Sequence, residues 1–185
     1  ITKNFDRITR ARIIEEKRPM IIMNAIDDWP ALALWNPPYM KKLLGRQTFS
    51  AKFQKTSNIF RYYDKTKEMG SVAEPEKGQD LDLTVDKFWN KTLSDAKGYL
   101  YASVYIDETP ELLKDLRTDM WRLDKSSEAF LWMGGHNITT HTHYDENHNF
   151  YTQLYGRKRF VLCPPKTYTK LYPHSYLHPM QRQSQ

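Results

Sequence analysis

Between residues 129 and 163 the chain reads as one short strand after another: 129–133, 138–143, 149–155 and 158–163, with a tight glycine turn at Gly156. Short strands in succession close into a sandwich or a barrel, because each must pair with a neighbour and bury one face. Helical signals collect earlier in the chain. The expectation is a mainly β, α+β architecture with N-terminal helices.

The first half is mixed. Residues 1–17 carry Ile8, Ile13 and Ile14 at loosely helical spacing and stop before Arg18-Pro19, since a residue preceding proline avoids the helical region. A short apolar strand is expected over 20–24. Asp27-Asp28-Trp29-Pro30 and Asn36-Pro37-Pro38 mark turns, and a helix over 38–44 should stop at Gly45. Strands are expected over 48–54, 58–63 and 99–105, and a polar surface loop over 64–82, which contains Gly70, Pro75 and Gly78. Val85, Phe88, Trp89 and Leu93 predict a helix over 83–93 with Thr84 as its cap. Thr109-Pro110-Glu111 opens another helix reaching about residue 116. No repeat or low-complexity tract interrupts this order.

With 185 residues the chain suits one domain with a real core. Apolar runs are far too short to span a bilayer, and no N-terminal segment has the form of a secretory signal. Cys163 is the single cysteine, which excludes an internal disulfide and a four-cysteine zinc cluster and fits a reducing compartment. The net charge of +6 comes from the end of the chain: residues 147–185 hold no Asp or Glu, while Arg157, Lys158, Arg159, Lys166, Lys170 and Arg182 fall there. These charges are spread over expected strand and loop, so a solvated basic face is favoured over a nucleic-acid groove.

His143 and Asp145 are two apart, which on an extended strand puts both side chains on one face, able to grip one metal ion. Two such ligands make half of a metal site, and a 2-His-1-carboxylate triad with open positions suits non-heme Fe(II). A two-residue turn at Gly156-Arg157 would set Asn149, Tyr151 and Lys158 on one side of a hairpin. An amide, a phenol and an ammonium in an otherwise apolar wall are what a pocket for a small anion needs, with Lys158 as the carboxylate anchor. Two rival readings use His141. Gly135, five residues, then His141-Thr142-His143 opens a general cupin metal motif, but Glu146 sits too early and faces away. His141-x-His143-x-Asp145 is also the start of a hydrolytic zinc site, which expects His where Glu146 stands.

The stretch resembles the JmjC branch of the cupins, and within it the factor-inhibiting-HIF type of asparaginyl hydroxylase. The similarity runs from Leu131-Trp132-Met133-Gly134 through His143-Tyr144-Asp145-Glu146, Asn149-Phe150, Gly156, Lys158-Arg159 and Pro164-Pro165. It continues to Leu171-Tyr172-Pro173, His178-Pro179 and Arg182-Gln183-Ser184-Gln185. Weaker echoes occur at Arg18-Pro19, Trp29-Pro30-Ala31 and Phe60-Arg61-Tyr62-Tyr63-Asp64.

The resemblance implies a double-stranded β-helix, with residues 1–128 leading into the barrel and 129–185 forming the first part of its core. It implies Fe(II) held by His143 and Asp145, and 2-oxoglutarate held at its far carboxylate by Lys158, Thr140 and Tyr63. Asn149 would lie near the iron-chelating end and Tyr151 in the pocket wall. Arg182, Gln183 and Asn147 match positions that touch the target, although Asn147 stands where the asparaginyl enzyme has a longer amide. The implied activity is a dioxygenase that hydroxylates a protein side chain, inside the cell in cytoplasm or nucleus.

In that family the second His ligand comes on a later strand, past Gln185, so the C-terminal half of the barrel is expected to lie outside this chain. Half of a β-helix exposes strand edges and needs its remaining half, an oligomer or a larger assembly. The alternative is a cupin-derived structural subunit that keeps part of the site without catalysis.

Overall fold

The computed structural model describes residues 7–67, 78–94, 98–117 and 128–185. Its central feature is a four-stranded antiparallel sheet built from β1 (Thr48–Gln54), β3 (Gln79–Thr84), β4 (Tyr99–Tyr105) and β5 (Phe130–Gly134), in the order β3-β1-β4-β5. A separate parallel pair joins β2 (Ile59–Phe60) to β6 (Thr139–Thr140). The helices are α1 (Arg7–Glu16), α2 (Pro30–Leu34), α3 (Pro37–Leu44), α4 (Val85–Leu93) and α5 (Pro110–Leu113). This is mainly antiparallel sheet with a few helices, in keeping with a jelly roll, and no closed barrel forms among the described residues.

Alternation along β4 separates the two faces of the sheet. Leu100, Ala102 and Val104 are buried, while the residues between them are only partly covered. The buried set faces α3 and α4, where Met40, Leu44, Val85 and Phe88 complete one core with Ala51, Met133 and Leu112. Phe49 of β1 meets Phe88 of α4 at 5.9 Å between ring centroids. Each large side chain fully buried here is worth about 1.5–3 kcal/mol.

The opposite face of the sheet is aromatic. Phe60 of β2 packs edge-on against Tyr101 of β4 at 4.6 Å, Tyr101 stacks on Trp132 of β5 at 5.9 Å, and Tyr105 meets Phe130 at 5.2 Å. The β2/β6 pair is therefore seated on the sheet through Phe60, and it carries the His143 segment with it.

Local chemistry explains where the expected helices begin and end. Asn36 accepts a hydrogen bond from Tyr39 N at the start of α3, with Pro37 in the first turn, and Gly45 closes the helix at φ +53°. Thr84 caps α4 through Lys87 N, as expected. Asp115, buried just past α5, accepts from Trp35 Nε1 at 3.0 Å and Tyr39 hydroxyl at 2.7 Å, tying α2 and α3 to the α5 turn.

Several expectations are corrected. Residues 20–22 form no regular structure and 23–24 begin a turn, with Met20, Ile21 and Met23 exposed and no strand pairing with them among the described residues. Residues 79–82, read as loop, belong to β3 and pair with β1 from Phe53↔Gln79 to Ser50↔Asp82; residues 68–77 of the same expected loop lie outside the described residues. The helix expected to reach residue 116 is the single turn of α5, and Thr109 does not cap it. The strands expected over 58–63 and 138–143 shrink to β2 and β6.

Most consequential, residues 149–155 and 158–163 are extended arms with no backbone hydrogen bond between them, turning at Gly156 with φ +76°. A 3-10 turn over Pro165–Leu171 follows, which sequence patterning did not predict.

Candidate metal and cosubstrate site

The site begins where β6 ends. Thr139 N donates to Asn58 O at 2.9 Å and His141 N to Phe60 O at 3.0 Å, so the chain enters the site as an extension of the β2/β6 pair. Past His141 the two segments part, and residues 182–184 come back between them. Tyr144 N donates to Arg182 O and Ser184 N to Thr142 O, both at 3.0 Å, giving an antiparallel bridge between His143 and Gln183. Arg182 adopts φ +66° to make this return.

The ring of His143 is oriented by its own loop. Nδ1 lies 2.7 Å from His141 O, and since a carbonyl only accepts, Nδ1 carries the proton. That tautomer leaves the lone pair on Nε2, which points toward Asp145 Oδ1 at 3.9 Å. Backbone-anchored imidazole with a free Nε2 is the form in which histidine binds metals. Two bonds of about 2.0–2.2 Å meeting at a right angle set their donors about 3 Å apart, so gripping one ion requires the two side chains to close by about 1 Å. Asp145 is held in turn: Oδ2 accepts from Asn149 Nδ2 at 2.6 Å, and Arg182 Nη1 stands 3.9 Å from Oδ1.

His143 and Asp145 side chains are 39% and 47% exposed, so a ligand can reach them. Among the described residues no group of three or more His, Cys, Asp or Glu side chains is arranged to hold a metal. Among the described residues, His143 and Asp145 are thus a pair of potential donors and not a set of three.

The residues expected to hold 2-oxoglutarate are placed as follows. Thr140 is exposed on β6, and Tyr63, three residues past β2, turns its hydroxyl into the interior. Asn149 is spent on Asp145. The hydroxyl of Tyr151 donates to Gln153 Oε1 at 2.7 Å, and its ring meets Phe160 edge-on at 4.8 Å.

Lys158 Nζ lies 4.7 Å from the Tyr151 ring and 5.0 Å from the Phe160 ring, and has no acidic partner among the described residues. The side chain is exposed as a whole, yet these rings partly desolvate the ammonium and lower its pKa below that of an ordinary lysine. Tyr151, Lys158 and Phe160 thus share a side of the two arms without a hydrogen-bonded ladder. Among the described residues no hydrogen bond, ion pair or ring contact joins Lys158 to His143 or Asp145.

The three positions matched to the target differ from one another. Asn147 is exposed and has no side-chain hydrogen bond among the described residues. Arg182 reaches toward Asp145 and lies 5.4 Å from the Tyr62 ring. Gln183 is 3% exposed and its amide is engaged with the backbone of Tyr62, donating to Tyr62 O at 2.6 Å and accepting from Tyr62 N at 3.2 Å. In this arrangement its side chain is not free to meet a target. A lone glutamine gives no sequence signal for such a pairing.

The stacking of two histidines, His174 and His178, carries no signal in the sequence. The rings of His174 and His178 stack at 4.1 Å and 15°, with His178 Nδ1 accepting from Met180 N. Burial, then the neighbouring His178, Arg61 and His141, lower the His174 pKa below the ordinary value. Burial and Arg61 do the same to His141.

The chain is 28% identical over 176 residues to lysine-specific demethylase 8 of Danio rerio, covering 89% of this chain and 39% of that protein. It is 29% identical over 157 residues to the human bifunctional peptidase and (3S)-lysyl hydroxylase JMJD7, covering 80% and 48%. It is 24% identical over 177 residues to Jumonji C domain-containing protein 5 of Drosophila melanogaster, covering 89% and 41%. The chain thus spans less than half the length of each of these relatives. The profile of the cupin-like domain matches residues 6–185, nearly the whole chain, and the chain accordingly belongs to the cupin-like domain family, with JmjC proteins as relatives.

Proposed function

We propose that this chain carries the metal-binding strand and the cosubstrate arms of a JmjC-type oxygenase that uses Fe(II) and 2-oxoglutarate to oxidise a protein side chain. The observation that carries the reading is the fixed tautomer of His143, whose Nε2 lone pair faces the Asp145 carboxylate at 3.9 Å. Fe(II) and 2-oxoglutarate are the cofactors of JmjC oxygenases, and together they supply oxygen activation coupled to loss of carbon dioxide from the 2-oxo acid.

The protein's own part is binding and orientation. His143 and Asp145 would hold the metal, with His141 O fixing the imidazole and Asn149 fixing the carboxylate. Lys158 offers a charged donor for the distal carboxylate of the cosubstrate, and Thr140 and Tyr63 offer hydroxyls; a charge-assisted contact supported by neutral donors suits a dianion. The partly desolvated ammonium of Lys158 gains most from an anion, because that charge has no counter-ion among its described neighbours.

Arg182 and Asn147 remain the candidates for target contact. Lysine is the first target to test, because two of the relatives are named for action on lysine; an asparagine amide, suggested by the hydroxylase resemblance, is the second.

The test is 2-oxoglutarate turnover with Fe(II), run beside His143→Ala and Lys158→Ala. Loss of turnover in His143→Ala and a raised 2-oxoglutarate requirement in Lys158→Ala are expected. Full turnover in His143→Ala would refute the ligand assignment. A full-length protein that neither binds Mn(II) nor turns over 2-oxoglutarate would favour the structural-subunit alternative.

A further inference from the structure

We propose that Gln183 is a positioning residue that keeps the cosubstrate side of the site in register with the metal side; this deepens the oxygenase reading and rests on it. The observation is a junction of three segments at one buried residue. The backbone of Gln183 is bridged to His143, its carbonyl accepts from His174 N at 2.9 Å, and its side chain holds both peptide groups of Tyr62.

The reason for a glutamine lies in the topology. β2 and β6 run side by side only to Phe60 and Thr140, with one further bond from His141 N to Phe60 O. Beyond that point the segment leading to Tyr63 and the segment leading to His143 are too far apart to pair with each other. The returning chain fills the gap, pairing with one side through its backbone and with the other through the Gln183 amide. A primary amide offers one acceptor and donors in the arrangement of a peptide group, so it can replace a missing strand on the Tyr62 side. Glutamate lacks the donor, leucine lacks both groups, and asparagine is one methylene shorter.

The next turn reinforces the same tether. Asp64 N donates to Pro179 O at 2.8 Å, so Tyr63 is held on both flanks by residues 179–183, through Tyr62 on one side and Asp64 on the other. Arg182 adds its guanidinium over the Tyr62 ring at 5.4 Å. Because the backbone bridge to His143 does not depend on the Gln183 side chain, a substitution there loosens Tyr63 on its Tyr62 flank, leaves the Asp64 flank held, and spares the metal ligands. That separation makes the role testable.

Wild type, Gln183→Leu, Gln183→Glu, Tyr63→Phe and the double variant Gln183→Leu/Tyr63→Phe are compared by calorimetry for Mn(II) affinity and for 2-oxoglutarate affinity at saturating Mn(II). Loss of a positioning contact next to a metal site costs about tenfold in affinity or more. In Gln183→Leu that loss is expected in 2-oxoglutarate binding, with Mn(II) affinity unchanged. Gln183→Glu, which keeps the acceptor for Tyr62 N, should fall between wild type and Gln183→Leu, and it carries the test if the leucine variant does not fold.

In the Tyr63→Phe background the further loss from Gln183→Leu should largely vanish, since residues acting through one group are not additive. Wild-type 2-oxoglutarate affinity in Gln183→Leu overturns the proposal, as does an undiminished loss in the Tyr63→Phe background or an equal loss of Mn(II) affinity. Absence of Mn(II) and 2-oxoglutarate binding in wild type overturns the oxygenase reading and this proposal with it.

Discussion

Residues 29–133 and residues 141–185 are held together by different physics. In the first region the described residues bury Trp35, Met40, Leu44, Val85, Phe88, Leu100 and Leu112 between helices and a continuous antiparallel ladder. In the second no strand ladder forms; single backbone bridges, side-chain amides and ring contacts hold the chain, and Tyr155, Phe160, Val161 and Leu162 stay exposed. The candidate ligands lie in the second region, anchored to the first through Phe60 on Tyr101. A site built this way can be changed at its contacts without unfolding the sheet that carries it.

The largest effect expected from this contrast is in the core. Phe88→Ala removes a fully buried ring and should cost about 3–5 kcal/mol in urea denaturation. A cost below that range would show that the helix face is less tightly packed than the sheet geometry implies.

Asp115→Ala comes next. It strands the Trp35 and Tyr39 donors and should cost about 1–3 kcal/mol, read by the same denaturation. Asp115→Asn, which keeps an acceptor, should recover part of that loss.

A pH change should separate the two regions. The neutral form of His174 is favoured in the folded state, since burial and then the neighbouring His178 and Arg61 hold its pKa below the ordinary histidine value. Its contribution is complete above that value and is lost as pH falls through it toward the lower folded value. Hydrogen-exchange protection at the amides of His174 and Gln185, which bond to Gln183 O and Tyr172 O, should therefore weaken between neutral and acidic pH. Protection along β4 should hold. Equal weakening in both places would mean that the regions open as one unit.

The smallest effect belongs to the arms. Phe160→Ser removes an exposed ring with one aromatic neighbour and should shift stability by about 0.5 kcal/mol or less. It should nonetheless raise the Lys158 pKa by rehydrating the ammonium, observable by NMR titration of the lysine side chain.

Local signals were legible wherever one residue decides the matter. Gly45 stops α3, Thr84 caps α4, and alternation placed β1 and β4 at the expected residues. The His143 and Asp145 spacing likewise put both donors on one side. The arms at 149–155 and 158–163 have strand composition, but composition cannot supply the neighbour that a ladder needs. The parallel pairing of β2 with β6, 80 positions apart, has no local signature either.

By itself, then, the sequence determined the cap of α4, the stop of α3, strands β1, β4 and β5 of the main sheet, the family and the two candidate metal donors. These depend on side chains within a few positions of one another. Only the tertiary structure decided that Nε2 of His143 comes near Asp145, that Lys158 sits beside two touching rings, and that Gln183 reads the backbone of Tyr62. Those three facts depend on where distant segments return. Return paths are set by the packing of the aromatic sheet face and by which backbone groups are left unpaired when β2 and β6 part.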